Sequence, residues 1–124
     1  MNTNWIAISA CSGFLAVVLG AFSAHGLKSY LTIDEMQWFE TANRYHFFHT
    51  VAILCVALLK IRTDNHWLTR CNIAFLAGIL IFSGSLYVMA VSGWKFLGAV
   101  TPLGGILFLT GWAMLLVGVL NKNS

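Results

Sequence analysis

Ala99 to Leu120 reads AVTPLGGILFLTGWAMLLVGVL, a run without one charged side chain. A helix of that length reaches across a bilayer, whose hydrocarbon core needs about 20 apolar residues. Reading back toward the N-terminus, three further apolar stretches are long enough to cross: Asn4 to Ala24, Trp38 to Leu59 and Ile73 to Val91. With 59% hydrophobic and 9% charged residues, the chain is far from the roughly 25% charged of a soluble domain. Lipid is therefore the solvent against which each side chain is read.

The 124 residues leave only short connections between four crossings, so the chain is expected to form a single transmembrane domain over 1–124, without a soluble catalytic unit. The expected spans are 4–25, 33–61, 70–92 and 99–120. The fold class is all-α, an integral membrane four-helix up-and-down bundle. The formal charge of +3 comes from scattered lysines and arginines. With no basic run, it speaks against nucleic acid and for topology. Lys60, Arg62, Arg70 and Lys122 fall on the side of the termini; Lys28, Arg44 and Lys95 fall on the other, offset by Asp34, Glu35 and Glu40. This bias places both termini in the cytoplasm. Ala21-Phe22-Ser23 has the look of a cleavage site, but Met1 to Trp5 lacks a basic side chain and the apolar run exceeds a signal segment. The first span is read as a permanent anchor.

Helix starts and stops are partly written in the sequence. Gly26 is a candidate left-handed terminator for the first helix, and Leu27 to Ile33 reads as an interfacial segment. Thr32 three residues before Glu35 forms a capping box, and Asp34 adds charge at the positive end of the helix dipole. The second helix then reaches about 43 Å, so its first two turns stand in the interface. Arg62 to Thr69 reads as a polar turn with Asn65 and His66 near its middle, and Asp64 lies outside the spans. Trp94 suits an interfacial aromatic belt, and Pro102 suits a first helical turn.

Small residues recur at heptad spacing. Ser9, Gly13, Ala16, Gly20 and Ser23 form a seam on the first helix; Gly78, Ser85 and Ser92 are seven apart on the third, and Gly104, Gly111 and Gly118 on the fourth. In lipid, small side chains let backbones approach, and the 3.5-residue period predicts a left-handed bundle. Helices one, three and four are the expected tight contacts. Cys11, Cys55 and Cys71 have no metal spacing and read as small apolar packing residues.

Polar groups inside a membrane mark function by default. His25, Glu40, Arg44, Tyr45, His46, His49, Ser83, Tyr87 and Thr101 fall in the outer half of the bundle and make up the candidate cluster. His46 and His49 share a face of the second helix with Ala42 and Tyr45. Three readings stay open for them: hydrogen bonding between helices, a proton or polar-solute path, and metal, haem or quinone binding. Glu40 and Arg44, four apart, can neutralise each other, or Arg44 can snorkel to headgroups. Ser83 and Ser85 suit bonds to helix carbonyls. No Ser/His/Asp triad, metal motif or phosphate-binding loop is present.

Gly20 to Leu27 (GAFSAHGL), Phe39 to His46 (FETANRYH) with His49, Gly78, Phe82 to Tyr87 (FSGSLY), Thr101 to Gly105 (TPLGG) and Gly111-Trp112 appear in order along the chain. Together they resemble the YgdD/YwdK-like family of small bacterial inner-membrane proteins, a domain of unknown function. The resemblance implies a four-span bundle in the bacterial cytoplasmic membrane and supplies no catalytic set. It also implies glycine as the common residue at Ser23 and glutamine at His46, which leaves His25 and His49 as the better ligand candidates.

The leading expectation is a non-enzymatic protein acting by packing, as a homo-oligomer or as an accessory subunit of a larger membrane complex, with membrane lipid around it. The alternatives are small-solute or proton transport through an oligomer, and a cofactor site, of unknown cofactor, at His25 and His49.

Overall fold

The structure is a computed structural model that describes residues 2–63 and 65–121. Lys122, which entered the charge argument, and Asp64, read as outside the spans, lie outside the described residues. Four long helices account for almost all of the described chain: α1 (Asn2–Phe22), prolonged by a π-helical turn (Ser23–Leu27); α2 (Ile33–Arg62); α3 (His66–Ser92); and α4 (Thr101–Leu120), preceded by a 3-10 turn (Lys95–Ala99). All four are long and apolar enough to span a membrane. Among the described residues there is no strand.

The ends follow local chemistry. Thr32 caps α2: its hydroxyl accepts from Glu35 N at 3.1 Å, and the Glu35 carboxylate accepts from Thr32 N at 2.9 Å. At about 45 Å, the 30 residues of α2 outrun a hydrocarbon core of about 30 Å. Gly93, with φ of 75°, ends α3 in the left-handed conformation, its N–H donating to Met89 O. Gly26 does not play that part, because α1 closes with the wide π turn and Lys28 stays right-handed.

The α2–α3 connection is shorter than the sequence reading. α3 begins at His66, not near Arg70, because Asn65 is its N-cap, accepting from Trp67 N at 2.8 Å. Asn65 is fully buried and donates to Gly118 O at 2.9 Å, which ties this turn to the last turn of α4. His66 is exposed, as a loop residue would be, but opens the helix. At the other end, Ala99 belongs to the 3-10 turn and α4 begins at Thr101, with Pro102 in its first turn.

Packing makes two antiparallel hairpins. α1 lies chiefly against α2, α3 chiefly against α4, and α2 against α3 joins them. The core sits where α2, α3 and α4 meet, around Ile53, Val56, Leu68, Cys71, Phe75, Ile79 and Phe108. The α3–α4 seam is as the glycine spacing predicts: each step of seven along Gly104, Gly111 and Gly118 is answered by a step of seven back along Phe82, Phe75 and Leu68. Gly78 completes the register against Phe108. The α1 seam differs from expectation in its partner. Ser9, Ala16 and Ser23 are buried, Gly13 faces Thr50 and Gly20 faces Asn43, so this face meets α2 and not α3 or α4. Cys71 packs in the core as expected, whereas Cys11 and Cys55 are exposed on the apolar surface.

Candidate functional site

α2 buries Ala42, His46, His49, Thr50 and Ile53 along one face, and there it receives polar side chains from the other three helices. His46, 3% exposed, looks toward α1 and α3. Its Nε2 lies 3.0 Å from Ser12 Oγ and its Nδ1 2.9 Å from Tyr87 OH. Ser12 Oγ is also 2.6 Å from Thr50 Oγ1, and Thr50 donates to His46 O at 2.8 Å. Asn43 Nδ2 donates to Tyr87 OH at 3.1 Å and to Ala16 O at 2.8 Å.

Hydrogen counting fixes the direction of this chain, since each hydroxyl has one hydrogen to give. Thr50 commits its own to the His46 carbonyl, so Ser12 donates to Thr50. His46 Nε2 therefore carries the hydrogen that Ser12 accepts, and Nδ1 accepts from Tyr87. For a neutral imidazole all contacts are satisfied together in this one arrangement, with the tautomer assigned from the network. The chain runs from an amide N–H to a backbone carbonyl. Neither end gains or loses a proton at ordinary pH, and the series ties α1, α2 and α3 together.

His49, 5% exposed, turns the other way, toward α3 and α4. Its Nδ1 donates to Tyr45 O at 2.9 Å, and its Nε2 accepts from the Trp112 indole N–H at 3.1 Å. The imidazole stacks on Phe108 with ring centroids 3.6 Å apart and meets Phe75 edge-on. Both nitrogens are engaged, in the tautomer opposite to that of His46. Tyr45 covers His49 and Phe108 from the outside, its ring parallel to that of His49 and tilted against Phe82.

The expected outer-half cluster thus divides into separate contacts. Ser83 donates to Ala42 O at 2.7 Å from the π turn of α3 (Ile79–Ser83). Ser85 and Thr101 share a hydrogen bond of 2.6 Å across the α3–α4 seam, and Ser85 also donates to Phe82 O. Glu40 and Arg44 line a cleft between α1 and α2. His25 is exposed at the end of α1, whereas His49 faces α3 and α4. The structure does not bring together the two histidines that the cofactor alternative paired. Among the described residues no three His, Cys, Asp or Glu side chains gather as a metal site would need.

Four participants escaped the sequence reading: Ser12, Asn43, Thr50 and Trp112. Asn43 carried a usable signal, being an amide in the third turn of a membrane-spanning helix, where a partner across the interface is the rule. Trp112 was visible only as a mid-span indole, whose N–H needs an acceptor when buried. A last feature is a groove of about 480 Å3 between α1 and α3, with apolar walls including Leu15, Leu19, Leu76 and Leu80 and His46 and Tyr87 at its floor.

Four apolar helices, short connections and polar groups turned inward define a small multi-pass integral membrane protein of the bacterial inner membrane. The family described as "Protein of unknown function (DUF423)" matches residues 19–105. The chain belongs to that family. It is 42% identical to a UPF0382 membrane protein of Haemophilus influenzae, covering all of this chain and 99% of the relative. It is also 42% identical over 113 residues to the inner membrane protein YgdD of Escherichia coli, covering 91% of this chain and 86% of that one. The membrane protein YwdK of Bacillus subtilis is 38% identical, with 94% and 96% covered. No solved structure matches the chain.

Proposed function

We propose that this protein is a non-enzymatic membrane subunit that works by packing, as a homo-oligomer or as an accessory member of a larger membrane complex, with both termini in the cytoplasm. One observation carries the reading: all four ring nitrogens of His46 and His49 are engaged inside the bundle. A base, nucleophile or metal ligand needs a free lone pair aimed at an accessible space, and these imidazoles offer none. The same bonds disfavour transport through the bundle, because the His46 chain ends on a backbone carbonyl.

The test is native mass spectrometry of protein extracted gently from its own membrane. A defined oligomer or a retained protein partner is the expected result; a monomer carrying lipid alone would overturn the proposal. Orientation is tested with single cysteines at Ser29 and Thr63 in a chain freed of its own three. A membrane-impermeant maleimide applied from the periplasmic side should label the first and spare the second.

A further inference from the structure

A second cavity, of about 460 Å3, opens where the end of α1 meets the first three turns of α2, with Gly20, Lys28, Glu40, Asn43 and Arg44 among its walls. Its size is that of a small-molecule site, about 300–1,000 Å3. Its chemistry differs from the groove on the α3 side of α1, whose walls are apolar. Two cations and one carboxylate face one space, so the cleft has a net positive charge and also a separate negative pole.

Asn43 adds an acceptor. Both hydrogens of its Nδ2 are committed, to Ala16 O and Tyr87 OH. Its Oδ1 lies against Gly20, where a Cβ would come within 2.8 Å of it. Glycine at this position is what leaves room for the amide at the wall of the cleft. Among the described residues no donor serves that oxygen. A ligand that completes the cleft therefore brings an anion for Lys28 and Arg44 and, a few bonds away, a cationic donor for Glu40 and Asn43.

Depth narrows the source. α2 is about 45 Å long against a core of about 30 Å, and its first two turns carry Asp34, Glu35 and Glu40, so the mouth of the cleft, at Lys28 and Glu40, stands at headgroup level with Asn43 and Arg44 one turn deeper. We infer that this cleft binds the headgroup of an aminophospholipid, with the phosphodiester held by Lys28 and Arg44 and the primary ammonium by Glu40 and Asn43 Oδ1. A phosphocholine has no N–H to give Asn43. A phosphoglycerol has hydroxyls but no positive charge for Glu40. The inference is independent of whether the chain has a protein partner.

The experiment is native mass spectrometry of the full chain in mild detergent, titrated in turn with phosphatidylethanolamine, phosphatidylcholine and phosphatidylglycerol of matched acyl chains, with inorganic phosphate as competitor. Wild type should retain phosphatidylethanolamine about tenfold better than phosphatidylcholine, the weight of a charge-assisted hydrogen bond. Glu40→Gln should erase that preference while leaving total phospholipid retention in place. Arg44→Gln and Lys28→Gln should each lower retention of all three lipids several-fold. Lys28 is exposed, so its variant reads the site even where Arg44→Gln fails to fold. Equal retention of phosphatidylethanolamine and phosphatidylcholine, a preference for phosphatidylglycerol, or displacement of lipid by inorganic phosphate would each overturn the inference.

Discussion

Gly104→Ala should open the α3–α4 seam, because the added methyl would meet backbone rather than a side chain that can turn aside. A Cβ there would lie 2.6 Å from Phe82 Cα and Cβ, and Phe82 N is nearer still. Ordinary carbon contacts begin near 3.5 Å, so the helices must part by about 1 Å, which forfeits roughly a quarter to a half of the dispersion at each atom pair along the contact. Overpacking of this kind costs about 1–3 kcal/mol. The Ser85–Thr101 hydroxyl pair, at 2.6 Å one turn away on the same seam, would stretch beyond bonding distance and lose about 1 kcal/mol more. Alanine returns about 1 kcal/mol of helix propensity, for a net loss of about 2 kcal/mol. Gly84→Ala is the matched control, since a Cβ there meets nothing within 4 Å; it should gain up to about 1 kcal/mol. Reversible unfolding in mixed micelles, followed by circular dichroism, separates the two. If Gly104→Ala matched wild type, or Gly84→Ala lost as much, close backbone packing would not be what holds α3 to α4.

The two buried histidines should show opposite neutral tautomers in ring-nitrogen NMR, the hydrogen on Nε2 of His46 and on Nδ1 of His49; one shared tautomer would dismantle the hydrogen count. Tyr87→Phe should cost about 1–2 kcal/mol by leaving His46 Nδ1 and an Asn43 hydrogen unpaired, and a double-mutant cycle with His46→Gln should give a coupling above about 0.5 kcal/mol. Additive losses would mean the Tyr87 bond contributes nothing. Trp112→Phe keeps an aromatic ring but removes the donor to His49, for a loss of about 1 kcal/mol in the same unfolding assay, and an unchanged midpoint would count against that bond. Thr32→Ala should lower stability by about 1 kcal/mol through loss of the cap, with amide exchange rising in the first turn of α2 and nowhere else.

Sequence reading recovers what depends on one helix at a time. Span existence follows from apolar runs, the α2 start from Thr32 and Glu35, and the α3–α4 seam from glycines seven apart, because each signal is local. What it misses depends on the rotation of one helix about its axis relative to another. Nothing in the order of residues says that the α1 small-residue face meets α2, or that His46 and His49, three residues apart, address different helices. Asn65 marks a middle case: an asparagine before an apolar periodic run is a cap signal, and reading it as mid-turn set α3 to begin a full turn late. The π turn in α3 has no mark in the sequence, yet it lies where Phe82 presses on Gly104 while Ser83 reaches Ala42.

The division into two hairpins suits assembly in the order of synthesis. Ser12, Ala16, Asn43, His46 and Thr50 are all made before α3 leaves the ribosome, so the first hairpin can form its own bonds while the second is still being synthesised. Contacts near in sequence form early because little chain entropy opposes them. Until Tyr87 arrives, His46 Nδ1 faces lipid without a donor, at the cost that any unpaired polar group carries there. The first hairpin taken alone leaves that acceptor open, and α3 brings the hydroxyl that closes it.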